Sequence, residues 1–372
     1  MIEQRRRWQI EMLFSIALFL SQLSFFAQKV TFLKDITDYI EYFSLVIYLL
    51  VIILGSFYKN NKASKLIYLI VLFIIGAIVC YVAKASAVIY VPVIIMSVHA
   101  LSAKKMIKTD LFVKIAMLII ICMSSVLGLT SDRLMFRDGV ARPSFGFAHP
   151  NHLGYILAMI YADYVLVRKS SVKKTVLSVA IGASMIGMCL VAGSRTPLYI
   201  FAILIPIDIF RNRSIMLFKI IARYPIQFMP VVFLVVSVIV TLAYDAHIPF
   251  AEELNEMTSD RLSLQNYYFK ERSLGLFGEK VTKWLDNGYL RIFYNYGILA
   301  GCAMLALTIK AIRVSKTNNP MIAMVFISLL IYALSEHHPF MYNTTPLWAI
   351  IGIGEKGNEA SVVKNESNEV NL

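Results

Sequence analysis

Apolar runs close to bilayer length recur along the whole chain, and short clusters of Lys and Arg separate them. Hydrocarbon satisfies no backbone polar group, so runs of this length fold as helices. Approximate spans fall at residues 10–27, 41–58, 66–83, 85–101, 111–130, 151–167, 175–193, 196–210, 226–244, 289–309, 320–336 and 344–354. The expected fold is therefore all-α, a polytopic membrane protein with about twelve transmembrane helices. Residues 1–354 are expected to form one integral membrane domain, with 355–372 as a polar, disordered cytoplasmic tail.

Composition agrees with that placement. Of 372 residues, 58% are hydrophobic and 16% charged, and a mean hydropathy of +0.68 puts most of them in lipid. A net charge of +13 would suit nucleic acid only if Lys and Arg gathered on one water-exposed face, and here they are spread between spans. The opening RRRW and the stretch to Ala27 resemble a signal peptide, but the apolar runs behind them favour an uncleaved first helix. Cys80, Cys122, Cys189 and Cys302 all fall in apolar runs without paired spacing, which argues against disulfides and structural zinc.

The basic clusters set the orientation. With the N-terminus cytoplasmic, the inside segments hold Arg5, Arg6, Arg7; Lys59, Lys62, Lys65; Lys104, Lys105, Lys108; Arg168, Lys169, Lys173, Lys174; Arg211, Arg213, Lys219, Arg223; and Lys310, Arg313, Lys316. The short outside loops are poorer, with Lys29 and Lys34, then Lys84 alone, then Arg195 alone. This alternation is the positive-inside pattern and puts both termini in the cytoplasm. Two outside segments are long, 131–150 and the 44 residues from Asp245 to Gly288. A loop of that length is expected to carry function or structure of its own. Ser259 is placed to cap a helix through RLSLQNYYFKE, with LGLFGEK turning the chain back toward the membrane.

Four polar clusters stand at the outer ends of spans, where charge needs a partner or a task. They are RPSFGFAHPNHLG with Arg142, His149, Asn151 and His152; GSRTP with Arg195; the long loop with Arg261 and Arg272, ending in DNGYLRIFYNYG; and SEHHPFMYN with Glu336, His337 and His338. Arginine outside, against the topological bias, suits a phosphate ligand because its planar fork donates two parallel hydrogen bonds and stays charged. Pairing of Arg142 and Arg195 with headgroups or with Glu336 is the plainer alternative. Helix capping accounts for Asp286, whose other role is a general base beside Asn287. No metal site is expected. Pro150 interrupts His149 and His152, and adjacent histidines on a helix diverge. Asp163 and Asp208 precede inside basic clusters, so snorkelling and local pairing explain them better than proton coupling. Gly297 and Gly301 read as a helix-packing seam. No Walker motif, nucleotide fingerprint or Gly-x-Ser-x-Gly turn occurs.

Taken in order, Arg-Pro with GFAHPNHLG, then GSRTPL, then TSDRL, LGLFGEK and DNGYLRIFYNYGIL resemble the Wzy-type polymerases of bacterial capsule and exopolysaccharide pathways, within the O-antigen polymerase and ligase superfamily. The similarity covers roughly residues 140–300. It implies a glycosyltransferase C-like architecture in the cytoplasmic membrane of a bacterium, with an outward active site and no cofactor or metal. The implied substrates are undecaprenyl-diphosphate-linked oligosaccharides, and the implied partners are the flippase and chain-length regulator of the same pathway. Arg142, Arg195 and Arg261 would bind diphosphate, with Asn151, Asn287, Tyr289 and His337 as further substrate contacts. Asp286, with His149 or Glu336, would take the acceptor proton. Ligases of the superfamily carry a histidine in this loop, nine residues before a glycine. This chain has Asp286 and Asn287 there, then nine residues, then Gly297, which favours polymerase over ligase. A flippase or other transporter is the reading from a different class.

Overall fold

The computed structural model of the chain describes residues 2–26, 36–56, 63–98, 103–130, 134–137, 139–281 and 283–341. The expected span at 344–354, the tail, and Lys29, Lys34, Lys59 and Lys62 lie outside the described residues. Of the described residues 79% are helical, and their one sheet is a three-residue hairpin, so the fold class is all-α.

Each apolar run within the described residues carries a helix. The first five are α1 (Ile2–Phe26), α2 (Thr37–Ser56), α3 (Ala63–Ala83), α4 (Ala87–Ser97) and α5 (Ala103–Val126). After strands β1 (Met135–Arg137) and β2 (Val140–Arg142) come α6 (Pro150–Val167), α7 (Val172–Val191), α8 (Leu198–Ile209) and α9 (Arg211–Ile221). The described residues continue with α10 (Met229–Asp245), α11 (Pro249–Met257), α12 (Arg261–Glu271), α13 (Gly288–Asn318) and α14 (Pro320–Tyr332). Six of these, α1, α2, α5, α7, α10 and α13, are long and apolar enough to cross a membrane. Helices α4, α8 and α14 have 11, 12 and 13 residues, about 16–20 Å at 1.5 Å per residue, short of a ~30 Å hydrocarbon core. Where the sequence suggests one continuous span to 210, the chain turns at Phe210 (φ −96°, ψ 30°) into α9.

Packing separates inside from outside by helix face. Helix α6 is the central one, buried from Leu153 through Asp163 and packed by α5, α7, α8 and α14. On α10 the exposed side chains are Val232, Val235, Val236, Ile239 and Leu242, a stripe at helical spacing. An apolar stripe of this kind facing outward has lipid as its natural solvent.

Two charge clusters tie the bundle together. Asp208 accepts from Arg168 Nε at 2.9 Å, with Arg211 3.6 Å away, the local pairing expected from sequence. Asp163 departs from that expectation. Instead of snorkelling, its Oδ2 accepts from Lys114 Nζ of α5 at 2.8 Å, and Lys114 also pairs with Asp110, whose Oδ1 accepts from Gln22 Nε2 of α1 at 2.9 Å. The side chains of Asp110, Lys114 and Asp163 are at most 1% exposed.

The segment 245–288 folds as two short helices and an extended return. Ser259 does not cap α12. Both Ser259 and Asp260 take left-handed backbone (φ 62° and 61°), and Asn255 Oδ1, from α11, accepts from Ser263 N at 3.0 Å. The return segment enters a break in α13. Gly297 has φ 84° and ψ 172°, and across this break Ile298 N donates to Gly275 O at 3.0 Å and Glu279 N to Tyr294 O at 3.0 Å. The expected seam is therefore a kink at Gly297, and Gly301 faces Phe293 of its own helix. A Cβ on Gly297 would stand 2.3 Å from Gly278 N, on a backbone that only glycine adopts without strain. Gly297→Ala is expected to destabilise the protein by roughly 3 kcal/mol or more. Gly187→Ala, whose Cβ meets nothing within 4 Å, is the neutral control. Thermal melting in detergent checks both, and equal midpoints for Gly297→Ala and wild type would refute the kink.

Candidate functional site

Helices α6, α8 and α13 begin, and α7 and α14 end, at one end of the bundle. The polar clusters of the sequence meet there, and each is placed by its own local rule. Strand β2 pairs with β1 in the register Met135↔Arg142, with Gly139 (φ 75°) in the turn. This delivers Arg142. His149 is the N-cap of α6, its Nδ1 accepting from Asn151 N at 3.0 Å, with Pro150 at the first helical position. Proline is favoured there because its missing N–H has no helical partner to lose. Between α7 and α8 the chain turns at Gly193 (φ 62°), and a Cβ there would lie 2.6 Å from Arg142 Nε. Glycine thus lets the guanidinium lie across the turn.

A continuous network joins these pieces. Arg142 Nη2 donates to Asn151 Oδ1 at 3.3 Å, and Asn151 Nδ2 donates to Glu336 Oε1 at 2.9 Å. The same Glu336 oxygen accepts from Arg261 Nη2 at 2.8 Å. Arg261 lies at the start of α12, and its Nη1 donates to the Ser335 carbonyl while its Nε stands 3.4 Å from Asp286 Oδ2. Thr196 Oγ1 receives a longer bond from Arg261 at 3.5 Å, and Ser194 Oγ donates to Asn151 Oδ1 at 3.4 Å. Arg195, between those two residues, is exposed, and its side chain makes no hydrogen bond or ion pair among the described residues. Four guanidiniums, Arg142, Arg195, Arg261 and Arg291, the last within electrostatic reach of both acids, stand against the two carboxylates and leave this end locally cationic.

The structure draws other sequence candidates into the frame. Asn287, not Asp286, caps α13, accepting from Leu290 N at 3.0 Å and donating to Ser237 Oγ at 2.9 Å. Tyr289 is wholly buried, donating to Leu330 O at 2.9 Å. Arg272 lies apart, paired with Glu279 at 2.8 Å. With capping assigned to Asn287, the Asp286 carboxylate is left to Arg261. His337 and His338 follow the end of α14 rather than sitting on it, and their rings stack at 4.5 Å and 24° instead of diverging. Ser194, Thr196 and Ser335 went unselected in the sequence because their neighbours in GSRTP and SEHH carry the more obvious charge.

Burial and neighbours push the two carboxylates apart. Burial raises the Asp286 pKa above the ordinary carboxylate value, and the Glu336 charge adds to it, while Arg261 opposes both. Burial works against the Glu336 charge too, but His338 and Arg261 outweigh it and bring that group down to about 2. Burial also works against Arg261, yet Glu336 and Asp286 raise its pKa. The imidazole of His149 is lowered to about 4, mainly by desolvation. It therefore stays neutral, as its accepting role at the helix start requires. One site thus holds a permanent anion, Glu336, and a half-buried acid more ready to take a proton, Asp286, the division of labour that acid–base chemistry uses. Comparison with protein-family models, curated proteins and solved structures finds no match for the chain.

Proposed function

We propose that the chain polymerises undecaprenyl-diphosphate-linked oligosaccharide repeat units into capsular polysaccharide or exopolysaccharide at the outer face of a bacterial cytoplasmic membrane. In this reading about twelve spans leave both termini inside. The observation that carries it is the Arg195 side chain, unpaired among the described residues, on the rim of the Arg142–Asn151–Glu336–Arg261–Asp286 network. A free guanidinium beside an organised acid is what transfer from a diphosphate carrier needs. The basic cluster Arg168, Lys169, Lys173 and Lys174 lies at the opposite end of α6, which supports an outward site.

The acceptor hydroxyl attacks the donor's anomeric carbon, a new glycosidic C–O bond forms, and the C–O bond to diphosphate breaks. Asp286 takes the hydroxyl proton, and the leaving diphosphate carries the displaced electron pair as anionic charge. Arg195 and Arg142 stabilise that charge without a metal or cofactor. Glu336 holds Arg261, which in turn orients Asp286.

Deleting the gene tests this in cells. Single lipid-linked repeats are expected to accumulate on the outer face while longer chains vanish. Chains that form but stay on the carrier would mean ligase, units stranded inside would mean flippase, and normal chains would overturn all three.

A further inference from the structure

Beside the candidate site, Glu336, His337 and His338 form a donor set of their own. One carboxylate oxygen and one nitrogen from each ring all lie within 4.8 Å of one another, and all three residues are buried. Glu336 Oε1 is engaged by Arg261 and Asn151, which leaves Oε2 for another partner. That oxygen is 3.5 Å from His338 Nδ1, too long for a good hydrogen bond.

His337 Nδ1 and both ring nitrogens of His338 are buried with no hydrogen-bond partner among the described residues. A buried imidazole nitrogen left without a partner is costly, and three in two consecutive residues call for a ligand. The stacked rings present their nitrogens together because the backbone has left α14 and enters a 3-10 turn, His338–Phe340. A fourth imidazole is at hand. The His152 ring lies 5.0 Å from that of His338.

We propose that Glu336, His337 and His338 bind one divalent transition-metal ion, zinc by preference, with His152 or a solvent molecule completing four-coordination. Two imidazoles and a carboxylate are a donor set that zinc favours over calcium or magnesium. Bonds of about 2.1 Å in a tetrahedron put donors about 3.4 Å apart, so modest side-chain rotation closes the present spacing. The ion's task is structural. It fixes the 335–340 turn, whose Ser335 carbonyl and Glu336 carboxylate hold Arg261. The proposal does not depend on the polymerase reading, since metal is counted without any substrate.

The test uses the full-length protein in lipid nanodiscs, stripped with chelator and then given zinc or cobalt alone. About one zinc per chain is expected, with His337→Ala and His338→Ala each weakening binding by about tenfold or more. His247→Ala is expected to change nothing, because that ring is exposed and sits against Glu252. Melting of the stripped variants alongside stripped wild type reports folding. Should the variants fail to fold, cobalt in the wild-type protein decides by itself. Intense visible bands of a four-coordinate ion support the site, whereas weak octahedral bands overturn it. So would zinc uptake that is absent in wild type, or equally tight in folded His337→Ala and His338→Ala.

Discussion

Replacing Lys114 by alanine is expected to cost the folded bundle about 3–5 kcal/mol, the range for removing one partner of a buried ion pair. Lys114 bridges two carboxylates on different helices, Asp110 of α5 and Asp163 of α6, and Gln22 of α1 closes the group. Without the ammonium, two carboxylates remain side by side where water does not reach them. Their repulsion is unscreened there. The triple variant Lys114→Met with Asp110→Asn and Asp163→Asn removes every charge and is expected to recover much of the loss, because neutral groups of similar volume carry no such penalty. Unfolding in mild detergent, followed by helical signal, measures both proteins. If Lys114→Ala melts at the wild-type midpoint, the triad does not pin these three helices.

The second large effect is expected at Arg261. Its guanidinium serves Ser335, Glu336, Thr196 and Asp286 from one rigid fork, and no other side chain spans those directions with a charge. Arg261→Ala is expected to lower polymer formation by about 10²–10³-fold, since it releases Asp286 and leaves Glu336 without its cation. Arg261→Lys is expected to recover little, because an ammonium reaches one or two of those partners at a time. Arg195→Ala separates substrate binding from architecture. That side chain is exposed and unpaired among the described residues, so the variant is expected to melt like wild type and yet lose polymer yield. Polymer at wild-type yield from folded Arg261→Ala would remove the network from the reaction.

Helix positions were legible because apolar length is a one-dimensional signal, and every run within the described residues carries a helix where it was expected. Partners were not legible. Lys114 lies within an apolar run and Asp163 beside a basic cluster, and nothing local says that the two meet across 49 residues. Gly297 and Gly301 spell a seam and a kink identically. The difference lies in residues 275–279, which hydrogen-bond into the break. Asp286 and Asn287 are adjacent and both good caps, and only backbone geometry gives the cap to Asn287. Charge at the ends of spans did mark residues that come together, since Arg142, Asn151, Arg261, Asp286 and Glu336 form one network. Ser194, Thr196 and Ser335 of the same motifs gave no comparable signal.

On the proposed reading, one network at the outer end of the bundle joins lipid-linked repeat units. Purified protein in nanodiscs, supplied with a lipid-diphosphate-linked repeat unit and no metal or nucleotide, tests it most directly. A ladder of lengthening chains with release of free lipid diphosphate is predicted for wild type, falling by about 10²-fold or more in Asp286→Asn. No ladder from wild type, or one equally strong from Asp286→Asn, would contradict it.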